Sequence, residues 1–183
     1  MNAITNEMFN KLLEGRSLIL SGVVNKDSAE ALIMGMLTLD QQSNEPITIY
    51  INSEGGEVYS MNAIIDTMNL IKSPVYTVVM GFAASAASSI LLAGEKGHRY
   101  ATPNATIMLH QPSGGAQGTS MDVDITIRQL TIAREKLFKF CADRTGQPIE
   151  TIRTDLQRDK YFSAEEALEY GIIDVILTEK GGN

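Results

Sequence analysis

The sequence predicts a layered α/β fold in which parallel strands alternate with helices. Three observations carry that expectation. Short β-branched apolar runs recur along the first half, and apolar residues at helical spacing fill the segments between them. The chain has 183 residues, 44% of them hydrophobic and 20% charged, which suits one domain with a real core. Strands that alternate with helices imply right-handed parallel crossovers.

In order along the chain, "SLILSGVV" (Ser17 to Val24), "PITIYINS" (Pro46 to Ser53) and "PVYTVVMG" (Pro74 to Gly81) read as buried strands. "KDSAEALIMGMLTLDQQ" (Lys26 to Gln42) and "VYSMNAIIDTMNLIK" (Val58 to Lys72) read as the helices between them. A Ser/Ala-rich helix is expected over Ala84 to Ala93, and "HRYATPNATIMLH" supplies one or two further strands. A long amphipathic helix follows over Met121 to Gly146. "SAEEALEYG" (Ser163 to Gly171) opens with the S-x-x-E capping-box spacing and closes at glycine. No repeat, linker or low-complexity tract divides the chain, so residues 1–183 are expected to form a single domain. The nine methionines read as core fillers, with Met34, Met36, Met61 and Met68 in helical apolar patterns, and Cys141 reads as a small buried or half-buried residue.

Charge and composition exclude several function classes. Fifteen basic against 22 acidic residues leave a formal charge of -7, a surface that repels phosphates, so no nucleic-acid partner is expected. A single cysteine cannot form an internal disulfide, and "MNAITNEMFNKLLEGR" has no apolar stretch long enough for a signal-peptide core, so a cytoplasmic location is expected. The nearly uncharged stretch from Ser73 to Gly94 contains Pro74, Gly81 and four serines, which fits a buried strand and helix and not a membrane span.

Two junctions carry chemistry. In "INSEGGEVYS", Gly55 and Gly56 follow a strand and precede a helix, where backbone N–H groups are unpaired and can bind an anion; a glycine pair can equally just make the turn. The phosphate-loop pattern and the third glycine of a dinucleotide fingerprint are missing. At the second junction, Ser85 is expected near a helix start, with its hydroxyl exposed and the N–H of Ala86 free, as a nucleophile beside an oxyanion site requires. Ser88 and Ser89 in the same helix are the internal controls, since a Ser/Ala-rich helix can also mean close packing alone. A serine needs a base, and the chain has two histidines. His98 sits in the polar turn "GEKGHRY", whereas His110 ends the apolar run "ATIMLH", where a strand end presents it to a cleft. The third member is a carboxylate that fixes the imidazole, and spacing alone does not choose among 22 acids.

The stretches "TVVMGFAASAAS" and "RYATPNATIMLHQP" resemble the active-site serine and histidine motifs of the Clp protease proteolytic subunit family. The resemblance runs from about Met8 to Leu177, through "LLEGRSLILSG", "YINSEGGEVYSMNAIIDTM", "HQPSGGAQGTSMDVDI" and "RDKYFSAEEALEYGIIDVIL". It implies a crotonase-like α/β fold with repeated β-α-β units and a protruding handle helix. It also implies a serine endopeptidase with Ser85 as nucleophile, His110 as general base and Asp159, in place of the nearby Asp155, as the triad carboxylate. The oxyanion donors it implies are the backbone N–H groups of Gly56 and Ala86. No metal or cofactor is implied. The implied assembly is a homo-oligomer of two stacked heptameric rings, fed with unfolded polypeptide by an ATP-dependent AAA+ unfoldase. Arg158 matches an arginine that couples ring contact to active-site alignment. A non-catalytic or regulatory subunit of such an assembly, and a crotonase-fold acyl-CoA enzyme, are the alternative readings.

The chain departs from the family pattern at several positions. Glu54 replaces a usual proline, with Glu57 close behind, and both carboxylates are expected to face away from the oxyanion turn. Ala86 replaces a usual methionine, which opens the wall of the first specificity pocket. Only seven residues precede Met8, where the family has a longer pore-lining segment. The docking positions for the unfoldase include Tyr50 and Tyr100 but also Thr48 and Thr102, which implies weaker or altered docking.

Overall fold

A computed structural model describes residues 3–178; Met1, Asn2 and the last five residues lie outside the described part. The chain opens with a helix the sequence reading did not anticipate, α1 (Ala3–Glu14), whose Leu13 packs against the core. Then β1 (Ser17–Val24), α2 (Lys26–Gln42), β2 (Ile47–Gly56), α3 (Val58–Leu70) and β3 (Val75–Ala84) alternate as expected. The helix α4 (Ala86–Ala93) is followed by two short strands, β4 (Arg99–Ala101) and β5 (Thr106–Leu109), and by the long α5 (Ser120–Thr145). The chain closes with α6 (Ile149–Asp155), β6 (Lys160–Phe162), α7 (Ala164–Tyr170) and β7 (Val175–Ile176).

One seven-stranded sheet organises the described residues, with strands ordered β1-β2-β3-β4-β7 and β5 and β6 branching from β3. All pairings are parallel except β5 with β6. The strand β3 makes the branch possible. Its first half, Thr77 to Val79, pairs with β4, and its second half, Phe82 to Ala84, pairs with β5. The expected end at Gly81 is therefore corrected: the strand runs three residues further, to Ala84, because Gly81 takes φ 94° and bends it toward a second partner. The strand β2 likewise continues past Ser53 to Gly56.

Local chemistry fixes the helix ends. The side chains of Asn25, Thr119 and Ser163 each accept from an N–H one turn on, closing capping boxes at α2, α5 and α7. Gly146 and Gly171 end α5 and α7 in the left-handed region. Alternate residues of β2, Ile47, Ile49 and Ile51, are fully buried and belong to one core cluster with Met36 and Leu39 of α2, Ile64 of α3 and Ile90 to Leu92 of α4. Each such side chain contributes roughly 1.5–3 kcal/mol by leaving water. The methionines divide: Met36, Met61, Met68 and Met108 are buried, but Met34 is 57% exposed, because the apolar run of α2 is wider than the face that meets the sheet. Cys141 is fully buried, and that burial pushes its thiol pKa up to about 12.

A buried ion pair anchors β4. Arg99 is 4% exposed and donates to Asp174 from Nε at 2.9 Å and from Nη2 at 2.6 Å, with its backbone N–H also donating to that carboxylate. Partial burial raises the Asp174 pKa, but these bonds and the N–H of Gly97 outweigh it and hold it below its ordinary value. Its stabilisation is thus present above the unfolded-state value of about 3.9 and is lost as pH falls through the lower folded value. Asp174→Asn leaves the Arg99 charge buried without its counter-ion. It is expected to destabilise the fold by about 3–5 kcal/mol in chemical denaturation at pH 7, with the gap to the parent closing under strong acid.

No helix among the described residues is long and apolar enough to cross a membrane.

Candidate active site

The junction of β3 and α4 sets Ser85 apart from its neighbours. Its backbone lies at φ 54° and ψ -118°, a region that costs a non-glycine residue about 1–3 kcal/mol. The conformation is held by its N–H, which donates to Met108 O of β5 at 2.9 Å. It turns the side chain out of the strand just before the helix begins. The sequence reading began this helix at Ala84; the helix begins at Ala86, and Ser85 is its N-cap. The control serines are engaged elsewhere. Ser88 Oγ donates to Ser85 O and Met108 O, each at 2.7 Å, and Ser89 is buried with its hydroxyl directed at Ser85 O.

The antiparallel pair β5–β6 brings in the other two groups. Ile107 faces Phe162, Met108 faces Tyr161 and Leu109 faces Lys160, so continuing this register by one residue sets His110 opposite Asp159. His110 Nδ1 lies 2.9 Å from Asp159 Oδ1, and His110 Nε2 lies 2.7 Å from Ser85 Oγ. The tautomer that satisfies both contacts carries its proton on Nδ1, donated to Asp159, and accepts the Ser85 hydroxyl at Nε2. The His110 side chain is 21% exposed and Asp159 55%.

Asp155, the neighbouring acid, is occupied elsewhere: it accepts from Tyr170 Oη at 2.7 Å and pairs with Lys160 Nζ at 2.8 Å. His98 also lies apart from Ser85, but the expectation that it occupies a plain exposed turn is corrected. It stacks on Tyr76 with ring centroids 3.9 Å apart, and its Nδ1 is 2.8 Å from Tyr100 Oη. Aromatic stacking holds a ring that the polar "GEKGHRY" context placed in solvent.

The glycine pair closes the site from below. A Cβ on Gly55 would lie 2.4 Å from Ala84 O and 2.9 Å from Ser85 Cβ, and Gly55 sits at φ 88°. A Cβ on Gly56 would lie 2.1 Å from Val24 O. Only glycine lets β2 run this close to the Ser85 turn. Gly55→Ala is expected to destabilise the protein by about 3 kcal/mol or more, read by thermal denaturation, and to shift Ser85 from His110.

Gly56, Ser85, Ala86 and His110 share one cleft of about 670 Å³. Its walls come from α3 and α5, with Met61, Asn62, Ile65, Leu137 and Phe140 among the lining residues. Sequence reasoning missed these walls, because apolar residues at helical spacing look alike whether they face a core or a cleft. As the first residue of α4, Ala86 has an N–H with no intrahelical carbonyl to meet. Glu54 is exposed and outside the lining, as expected; Glu57 is corrected, since it lines the cleft while accepting from Ser60 Oγ at 2.8 Å. Among the described residues no group of three or more His, Cys, Asp or Glu side chains is placed to hold a metal ion.

The arrangement can do nucleophilic chemistry: a hydroxyl with a base in hydrogen-bond reach, the base oriented by a carboxylate, and a lined cleft in front. The fold around it is a mixed α/β layer with one long helix, α5, that buries only Phe138 and Cys141. A family model described as Clp protease matches residues 2–180, essentially the whole chain, and the protein belongs to the Clp protease family.

Proposed function

We propose that the protein is a serine endopeptidase acting through Ser85, His110 and Asp159, within a single peptidase domain. One observation carries the reading, the continuous hydrogen-bonded chain from Ser85 Oγ through both ring nitrogens of His110 to Asp159 at the mouth of the cleft. His110 Nε2 takes the Ser85 proton as Oγ attacks the peptide carbonyl, and the imidazolium is stabilised by Asp159. The backbone N–H groups of Gly56 and Ala86 receive the charge developing on the carbonyl oxygen. His110 then returns its proton to the leaving amine, and water activated by the same ring hydrolyses the acyl-enzyme.

The assembly is part of the proposal. Helix α5 buries only Phe138 and Cys141, while Met121, Ile125 and Ile127 on its first half are exposed at 74%, 60% and 53%. Apolar side chains held into solvent along one projecting helix support a partner surface. The family reading makes that partner a second ring of this chain, closing a chamber of two stacked heptamers in the cytoplasm. An AAA+ unfoldase supplies unfolded polypeptide at the face that holds Tyr50 and Tyr100.

The purified protein is expected to hydrolyse a short fluorogenic peptide without ATP or any unfoldase, while a folded protein substrate survives. Absence of peptide hydrolysis by an assembled double ring contradicts the proposal.

A further inference from the structure

Besides His110, three charged side chains line the cleft that holds Ser85: Glu57 at the N-cap of α3, Asp66 further along that helix, and Lys136 on the α5 wall. Of the two carboxylates, Glu57 is the one next to the chemistry. It follows Gly56 directly, and the Gly56 N–H is the proposed donor to the carbonyl oxygen, whereas Asp66 lies about 12 Å further along the helix axis at 1.5 Å per residue.

The backbone of Glu57 is pinned on both sides. Its N–H donates to Val24 O at 2.8 Å, and its carbonyl accepts from the Met61 N–H at 3.0 Å. One carboxylate oxygen, Oε2, accepts from Ser60 Oγ at 2.8 Å, and Ser60 is itself buried. The other, Oε1, has no hydrogen bond, and Glu57 forms no ion pair among the described residues. A fixed carboxylate here opposes catalysis of an uncharged substrate, because it repels the negative charge that develops on the carbonyl oxygen.

We infer, on the peptidase reading proposed above, that Glu57 sets the specificity of the cleft by selecting polypeptides with a lysine or arginine at one of the two residues flanking the cut bond. Such a side chain donates a charge-assisted hydrogen bond to Oε1 and neutralises the carboxylate as the oxyanion forms. Its aliphatic stem lies along apolar wall residues such as Met61, Ile65 and Leu137. The backbone N–H groups of Gly56 and Ala86 meet only main chain, so they do not discriminate between side chains.

The test uses internally quenched peptides of one sequence, with lysine, methionine or glutamate placed in turn on each side of the cleaved bond. At low salt and the better position, kcat/KM is expected to be about 10-fold higher for lysine than for methionine, and about 100-fold higher than for glutamate. Glu57→Gln keeps an acceptor for Ser60 and removes the charge; it should bring lysine and methionine within about two-fold of each other. Glu57→Lys should reverse the order in favour of glutamate, an inversion that a packing role would not produce. Binding to Ser85→Ala, read by fluorescence anisotropy, is independent of turnover. It should be about 5-fold tighter for the lysine peptide than for the glutamate peptide, and equal for both once Glu57→Gln is added. Equal cleavage of the three peptides by the parent, or a lysine preference that survives in Glu57→Gln, overturns the inference and leaves the peptidase reading standing. A glutamate preference in the parent also overturns it and assigns the discrimination to Lys136. No cleavage of any peptide, with lysine-selective binding by Ser85→Ala, contradicts the peptidase reading alone; no cleavage with unselective binding overturns both.

Discussion

Ser85→Ala is expected to lower kcat/KM for a short peptide by on the order of 10^4–10^6, with the fold and assembly unchanged. The hydroxyl is the group 2.7 Å from His110 Nε2, and no neighbouring serine can replace it. Ser88 spends its hydroxyl on Ser85 O and Met108 O, and Ser89 is buried beneath. Ser89→Ala should therefore keep activity within a few-fold. Ser88→Ala should show its effect in stability, because it removes two bonds that hold the turn. A comparable loss of turnover in Ser89→Ala and Ser85→Ala would mean that the packing of the helix, and not one nucleophile, governs turnover.

Asp159→Asn is expected to lower kcat by about 10^4 at neutral pH while leaving the fold intact. The amide can face His110 with its NH2 group, which favours the tautomer that carries the proton on Nε2 and blocks acceptance from Ser85. Asp159 is more than half exposed and bonds to no side chain but His110 among the described residues, so little stability rests on it. Asp155 is the contrast. Partial burial raises its pKa, but the bonds from Lys160 and Tyr170 outweigh that and lower it. Its stabilisation is present above the unfolded-state value of about 3.9 and lost as pH falls through the lower folded value. Asp155→Asn should therefore reduce the melting temperature more than Asp159→Asn and reduce kcat far less. Steady-state kinetics and thermal denaturation of the two variants, side by side, read the difference.

These two acids mark how far the sequence could be read. Local patterns fixed what local physics fixes: Ser17–Val24 and Lys26–Gln42 have the bounds that their apolar runs imply. The capping box at Ser163 and the left-handed Gly171 were equally legible. Ser85 was a candidate because a strand-to-helix junction can expose its hydroxyl beside a free N–H, and His110 because it ends a strand, but close packing alone could explain such a serine, and the family resemblance selected both. Asp159 was not legible from spacing. It is set opposite His110 by β6, a strand of three residues whose pairing with β5 spans about fifty positions of chain, and no periodicity can emerge from three residues. Only the family resemblance pointed to it. The missed α6 and β7 are short for the same reason, and the continuation of β3 past Gly81 depends on a second sheet partner that the strand itself does not encode.

The most direct measurement is covalent labelling of the native protein with a fluorophosphonate, read by intact mass and by sequencing of the modified peptide. The account predicts one label per chain, on Ser85, lost in Ser85→Ala and strongly slowed in His110→Ala. Labelling on another residue, or no labelling of assembled protein, would contradict a nucleophilic role for Ser85.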